Sequence, residues 1–146
     1  MSVPAKEYSP DEYVMTLCGI VINSGFADGE FLTLEENSPR FVMKKGSDGS
    51  VTRCRSLDRS AKAVFKLMNT SDINDQLSAL AQQDQAARNG AGVGAFEIKD
   101  IYGTTIFHGS QAWISEMPKV SLDREATPRE WMVDIAALDP VVHGGR

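Results

Sequence analysis

The sequence predicts a mainly β (α+β) domain: an antiparallel β-sandwich or barrel with one flanking α-helix at about residues 71–88 and a long extended hairpin. Three patterns predict it: short apolar and β-branched runs between turn residues, one stretch of helical apolar spacing, and an Asp-Gly pair between two strand-like runs. The 146 residues suffice for one domain with a core. We expect a flexible arm at residues 1–12, the β domain at 13–138, and a C-terminal tail at 139–146 that frays from residue 141 onward.

The first two predicted strands lie before residue 37. Residues 13–22 are apolar on both faces, which predicts one strand that is either central or in contact with another chain. Asp28-Gly29 supplies a turn. Residues 31–36 form the second predicted strand.

A polar hairpin and a half-buried strand follow. Residues 41–46 and 50–55 form the long hairpin around Asp48-Gly49, a dipeptide that accepts the positive φ of such turns. Residues 61–67 alternate in polarity and predict a strand with one buried face. Its inward residues are Ala61, Ala63, Phe65 and Leu67, and its outward residues are Lys62 and Lys66.

The period then changes to that of a helix. Ser71 is a suitable N-cap, and Asp72 and Asp75 suit the positive end of the helix dipole. Asn89-Gly90 predicts the helix end. The apolar stripe is narrow, so we expect the helix to pack on the rim of a sheet.

Three further strands complete a total of seven or eight. They are predicted at residues 95–100, 104–115 and 131–137, and the last has Trp131, Val133 and Ile135 on one side.

Charge is unevenly distributed along the chain. Residues 40–66 carry eight Lys or Arg and two Asp, a net charge of +6. The rest of the chain carries seven bases and 18 acids, a net charge of −11, so the whole chain has a net charge of −5. A basic element on an acidic body can bind an external polyanion or the body of an identical subunit. The residues we predict at a self-assembly interface are Lys44, Lys45, Arg53, Arg55, Asp58, Arg59 and Lys62.

The sequence shows no catalytic set. Gly90, Gly92 and Gly94 follow a helix and precede a strand, an order that favours a helix cap and hinge over a phosphate-binding loop. His108 and His143 have no carboxylate or thiol at metal-ligand spacing, and no serine stands in a GxSxG context. We expect a non-enzymatic protein without a catalytic, cofactor-binding or metal site.

Cys18 and Cys54, the two cysteines, predict buried or half-buried thiols in a reducing compartment, with a disulfide between them as the less favoured alternative. No apolar run approaches the length of a membrane span, and the first residues lack the pattern of a signal peptide. We expect a cytoplasmic product that does not itself bind membranes.

The rival function is a small nucleic-acid-binding β-barrel module that uses the basic segment 40–66. Such a module needs aromatic residues among the bases for stacking. The segment offers Phe41 and Phe65, and Phe65 is on the predicted inward face. The acidic net charge also argues against this function.

The chain resembles the tail tube (inner tube) subunits of contractile-tailed bacteriophages over residues 13–137. The order and spacing of several short strings carry the resemblance. They are FADG at 26–29, KKGSDGSVTR at 44–53, SLDRS at 56–60, LMNTS at 67–71 with Asn74 and LSAL at 77–80, IKD at 98–100, GTT at 103–105, AWI at 112–114 and REW at 129–131.

The resemblance implies a structural subunit assembled as a homohexamer, with hexameric rings stacked helically into a viral tail tube. The lumen would conduct viral DNA during ejection, in transient and non-specific passage, and a contractile sheath would enclose the tube. Tail sheath, tape-measure, baseplate and tail terminator proteins would be the partners. The subunit would be assembled in the bacterial host cytoplasm and reside in the virion tail, with an architecture related to type VI secretion tubes. No catalytic residue or cofactor is implied.

Overall fold

The computed structural model of the protein describes residues 5–145. Residues 1–4 of the predicted arm and Arg146 of the predicted tail lie outside the described residues. The elements are β1 (Tyr13–Leu17), β2 (Ile20–Ile22), β3 (Leu32–Glu36), β4 (Phe41–Lys45), β5 (Val51–Arg55), β6 (Ala61–Met68), α1 (Ile73–Ala86), β7 (Gly94–Asp100), β8 (Ile106–Glu116), β9 (Pro128–Ile135) and β10 (Val141–Val142).

One antiparallel sheet of eight strands forms the body, in the order β2-β1-β7-β8-β9-β6-β3, with β10 paired to β8. The end strands of this order, β2 and β3, do not pair with each other in residues 5–145, so the sheet encloses its core as a sandwich and not as a closed barrel. The predicted mainly β fold with one flanking helix is confirmed.

Both halves of the sheet contribute to one core. Met15 and Phe96 from the β1–β7 side meet Phe65, Trp131 and Ile135 from the β6–β9 side in a single buried cluster. Burial alternates strictly along β6, and all of its predicted inward residues are buried. The predicted inward residues of β9 are buried as well.

Residues 13–22 form a hairpin, so the prediction of one strand there is wrong. Cys18 and Gly19 have φ angles of 51° and 85°, and Leu17 pairs with Ile20 across the turn. Two consecutive positive φ values make the two-residue turn whose twist matches antiparallel strands. This turn and the short β10 raise the number of strands in residues 5–145 to ten, above the seven or eight predicted.

The helix lies within its predicted limits. Asp72, and not the predicted Ser71, is the N-cap residue, although the Ser71 hydroxyl accepts the Ile73 N–H at 3.3 Å. Ala87 is extended and ends the helix, so the predicted end at Gly90, which has a φ of 74°, is too late. Leu77 is buried in the core and α1 contacts the edge strand β2, which confirms packing at the rim of the sheet.

The C-terminal segment is paired and not frayed at its beginning. Val141 and Val142 pair with Phe107 and Ile106 of β8, and the ring of His143 meets that of Phe107 edge-on at 4.9 Å. Two strand residues and a ring contact hold this segment against the sheet. The boundaries of the arm and of the tail otherwise stay predictions.

Candidate self-assembly surface

β4 and β5 form the predicted hairpin, and this two-stranded ribbon is separate from the main sheet. Every residue of both strands is exposed. The ribbon therefore contributes no side chain to the core of its own subunit. A hairpin without a third strand or a covering element is marginally stable in water, which makes the ribbon a candidate for contact with another molecule.

The strand register sorts the ribbon into two unlike faces. Phe41 pairs with Arg55, Met43 with Arg53, and Lys45 with Val51. Because side chains alternate along a strand, these pairs share one face, which we call the mixed face. It carries three apolar and three cationic side chains and no acid: Phe41, Met43, Val51, Lys45, Arg53 and Arg55.

Two arginines on the mixed face cover its aromatic ring. The guanidinium carbon of Arg53 lies 3.5 Å from the centroid of the Phe41 ring, and that of Arg55 lies 5.6 Å from it. Such cation–π contacts contribute about 0.5–1 kcal/mol at exposed sites. They orient both guanidinium groups on the mixed face.

The turn of the ribbon is fixed by its own side chains. The carboxylate of Asp48 accepts the Ser50 N–H at 3.0 Å and the Ser50 hydroxyl at 2.7 Å. These hydrogen bonds, the hydroxyl first, lower the pKa of Asp48. Gly49 has the positive φ, 89°, that the Asp-Gly pair predicts.

Residues 37–40 and 56–60, which we call the stem, join the ribbon to the body. The backbone N–H of Asn37 donates to the Ser60 carbonyl at 3.0 Å, and its side-chain amide donates to the Ser60 hydroxyl at 2.9 Å. Nearer the ribbon, the Ser56 N–H donates to the Arg40 carbonyl at 2.9 Å. The two segments of the stem are thus linked at both ends.

Asp58 links the stem in its middle. One carboxylate oxygen accepts the Ser38 hydroxyl at 2.6 Å, and the other accepts the Ser60 hydroxyl at 2.6 Å and the Ser60 N–H at 3.0 Å. These bonds stabilise the ionised carboxylate, the Ser38 hydroxyl most, and lower the pKa of Asp58 from 3.8 to about 2.

Several bases of segment 40–66 are balanced by acids within the subunit. Arg40 binds Glu36 at 2.7 Å, and this hydrogen bond lowers the pKa of Glu36. Arg59 lies 3.9 Å from Asp139. On the main sheet, Lys62 lies between Glu35 of β3 and Asp134 of β9, and Lys66 lies opposite Glu130. The uncompensated positive charge is therefore concentrated on the ribbon.

The structure brings six of the seven predicted interface residues into one projection. Lys44, Lys45, Arg53 and Arg55 lie on the ribbon, Asp58 and Arg59 in the stem, and Lys62 in β6 of the main sheet. The charge pattern did not predict the apolar half of the mixed face. The apolar run Phe41-Val42-Met43 was the signal that could have identified it, since alternate residues of a strand share a face.

Both cysteines are free. Cys18 is half-buried, and burial raises the pKa of its thiol, as does Asp84. Cys54 is exposed on the ribbon, so its predicted burial is wrong. Residues 5–145 contain no group of three or more His, Cys, Asp or Glu side chains placed to hold a metal ion. In the same range, no helix has the length and apolar character needed to cross a membrane.

Comparisons with known proteins agree with a structural role. A sequence model of the family described as "Bacteriophage PhiTE tail tube protein" matches residues 18–143. "Structural protein ORF10" of Pseudomonas phage KPP10 is 26% identical over 122 residues, which are 84% of this chain and 70% of that protein. The solved anti-feeding prophage cap (AFP tube terminating cap) matches with a TM-score of 0.56 and 9% identity, over 94% of this chain and 93% of that one; this match concerns the fold alone.

Proposed function

The chain belongs to the bacteriophage tail tube protein family, and from this premise we propose that it is a non-enzymatic subunit that assembles into hexameric rings stacked as a tube. As a tail tube protein, it is a component of the virion tail. The observation that carries the proposal is the ribbon: every one of its strand residues is exposed and none contributes to the subunit's own core.

Charge supports contact between identical subunits. The ribbon holds the uncompensated bases, and the chain outside residues 40–66 has a charge of −11. A basic surface that meets a different, acidic surface of the next copy gives a heterologous contact, which repeats without closing into a dimer. In this proposal Lys44, Lys45, Arg53 and Arg55 lie at the contact between stacked subunits, with Asp58 and Arg59 at its edge and Lys62 beside it.

The proposal extends to the passage of DNA and to the other tail components. Viral DNA passes through the lumen during ejection. An acidic lumen suits this role, because phosphates bound by many Lys or Arg side chains dissociate slowly. A contractile sheath encloses the tube, and tape-measure, baseplate and tail terminator proteins complete the tail. Assembly takes place in the host cytoplasm.

Negative-stain electron microscopy of the concentrated recombinant protein tests the proposal. We expect rings and stacked tubes. Chains that stay monomeric even with the other tail proteins of the same phage present would contradict it.

The rival nucleic-acid function is not favoured by the ribbon. The one aromatic side chain of the ribbon is Phe41. The Arg53 guanidinium covers one face of its ring, so a nucleic-acid base cannot stack on that face. Titration of the unassembled protein with single- and double-stranded DNA distinguishes the two functions. We expect no saturable binding, and salt-sensitive binding at micromolar protein would favour the rival.

A further inference from the structure

A groove of about 500 Å³ opens beside the first residues of β3. Apolar side chains from several elements line it, including Tyr13 of β1, Leu32 and Leu34 of β3, and Phe107 of β8. Its volume lies within the range of binding pockets, about 300–1,000 Å³, so it can receive a few side chains but not a whole strand pair.

The surroundings of the groove are acidic. Glu30 lines the groove itself, and Asp11 and Asp28 line an adjoining depression that shares Gly29 and Phe31 with it. Two more acids and one base line a further depression beside the N-terminal segment, namely Glu7, Glu12 and Lys6. Apolar walls with an acidic rim complement a protein surface that is both apolar and cationic.

The mixed face of the ribbon is such a surface. Its apolar side chains Met43 and Val51 are 61% and 59% exposed, and the cationic Lys45 and Arg53 flank them in the register. The mixed face carries no acid and therefore places no charge against Asp28 or Glu30 that would repel them.

The groove lies at the first part of β3, and the ribbon is reached from the end of the same strand. The groove lining runs from Gly29 to Leu34, and the stem follows Glu36, where β3 ends. The four stem residues 37–40 and the five residues of β4 then extend over about 30 Å before the turn of the ribbon. This separation favours a contact in which the ribbon of one copy meets the groove of another.

We propose that the groove is the receptor for the mixed face of the ribbon from a second copy of this chain. Met43 and Val51 enter the groove, and Lys45 and Arg53 meet the acidic rim at Asp28 and Glu30. The inference rests on the proposed tube function and specifies which surface of the neighbouring subunit the ribbon contacts.

A charge-swap mixing experiment tests this contact. The ribbon variant carries Lys45→Glu and Arg53→Glu, and the groove variant carries Asp28→Lys and Glu30→Lys. Each variant alone presents like charges at the contact, so we expect the yield of sedimentable tubes to fall at least tenfold. In an equimolar mixture the two variants can alternate, so that each variant's ribbon meets the other's groove and every contact again joins opposite charges. We expect the mixture to recover tubes that contain both variants.

Matched controls lie in the exposed loop between β8 and β9. Lys119→Glu with Arg124→Glu changes the net charge as the ribbon variant does, and Asp123→Lys with Glu125→Lys changes it as the groove variant does. We expect both controls to form tubes like the wild type. All substituted residues are exposed, so circular dichroism and the thermal midpoint should show each variant folded.

Photo-crosslinking locates the contact directly. A benzophenone side chain at position 43 should crosslink to residues 28–34 or to Phe107 of another copy, as identified by mass spectrometry. Three results would overturn the inference: crosslinks confined to other surfaces, a groove variant that assembles normally, or a mixture that fails to recover tubes. If the wild-type protein still forms tubes in these experiments, the proposed function is unaffected. A wild-type protein that forms no tubes would contradict the proposed function and, with it, the inference.

Discussion

Asp58 connects the two segments of the stem through hydrogen bonds that require its ionised form. Its folded pKa, about 2, is below the ordinary 3.8. A depressed pKa contributes stability above the unfolded pKa, and this contribution is lost as the pH falls through the folded value. The stability that Asp58 contributes is therefore lost between about pH 4 and about pH 2, well below the range in which histidines titrate.

We predict that Asp58→Asn lowers the thermal midpoint near neutral pH and that the difference from the wild type shrinks as the pH falls from about 5 to about 2. Thermal unfolding followed by circular dichroism across this range measures it. Ser38→Ala removes the strongest hydrogen bond to the same carboxylate. Its thermal midpoint should also approach that of the wild type as the pH falls, but by a smaller amount. A constant difference between wild type and Asp58→Asn would contradict the assigned role.

Asn74 connects the helix to the core. Its side-chain oxygen accepts the indole N–H of Trp131 at 2.9 Å, and its amide donates to the carbonyls of Met68 and Ser71 at 2.9 and 3.1 Å. Trp131 is 1% exposed, so its N–H would have no access to water if Asn74 were truncated.

We predict that Asn74→Ala lowers the free energy of unfolding by about 1–3 kcal/mol, the usual cost of a buried polar group without a partner. Urea denaturation measures the change. Asn74→Asp keeps an acceptor for the indole but loses the donor to the Met68 and Ser71 carbonyls, so it should also lower the free energy of unfolding. The exposed Gln82→Ala, on the same helix, should change stability by under about 0.5 kcal/mol. Equal losses in Asn74→Ala and Gln82→Ala would refute the connection.

At the scale of elements, the ribbon and the β6–β9 pair differ in how well the structure protects their backbone hydrogen bonds from local opening. β6 and β9 pair over eight positions and have one face in the core. The ribbon pairs over five positions and has both faces exposed. Local opening should therefore be more frequent in the ribbon of the unassembled subunit.

We predict that the ribbon amides of the unassembled protein exchange with deuterium faster than those of β6, and that assembly slows exchange in the ribbon most. Hydrogen–deuterium exchange with mass spectrometry on both states measures this. The ribbon variant Lys45→Glu with Arg53→Glu provides an unassembled reference under assembly conditions. A ribbon whose exchange is unchanged in tubes would argue that it faces solvent there.

Several elements were predictable because local pattern and burial agree. The alternation of 61–67 and the helical spacing after Ser71 both predict the observed element. Residues 13–22 were wrongly predicted because the turn places Cys18, an unusual residue at positive φ, before Gly19. The favoured Asn-Gly signal is absent there, and the length of the apolar run predicts a single strand.

The candidate site was predictable only in part. The charge excess of segment 40–66 is visible in the sequence and identified the ribbon. That Lys62 faces Glu35 and Asp134 depends on the register of three strands that are far apart in the chain. The groove likewise combines residues from the N-terminal segment, β1, β3, β7 and β8. No local pattern contains such long-range neighbours.

At the scale of the whole molecule, contacts between a basic ribbon and an acidic groove should depend on ionic strength. Salt screens exposed charges, and the Debye length falls from about 10 Å at 0.1 M to about 3 Å at 1 M. We predict that the critical concentration for tube formation rises between these concentrations. Sedimentation across a sodium chloride series measures it.

The loop variant Lys119→Glu with Arg124→Glu should keep the salt dependence of the wild type, because its charges lie outside the proposed contact. A critical concentration independent of salt would mean that burial of Met43 and Val51, and not charge, dominates the contact.

Because ribbon and groove are different surfaces of one subunit, any filament built through them has unlike ends. One end would display empty grooves and the other free ribbons, so growth at each could be controlled separately. A related chain that kept the groove but lacked the ribbon could bind at one end and halt elongation there. Directional growth, and a means of fixing length, would then follow from a ribbon that leaves the body of the subunit away from the groove that receives it.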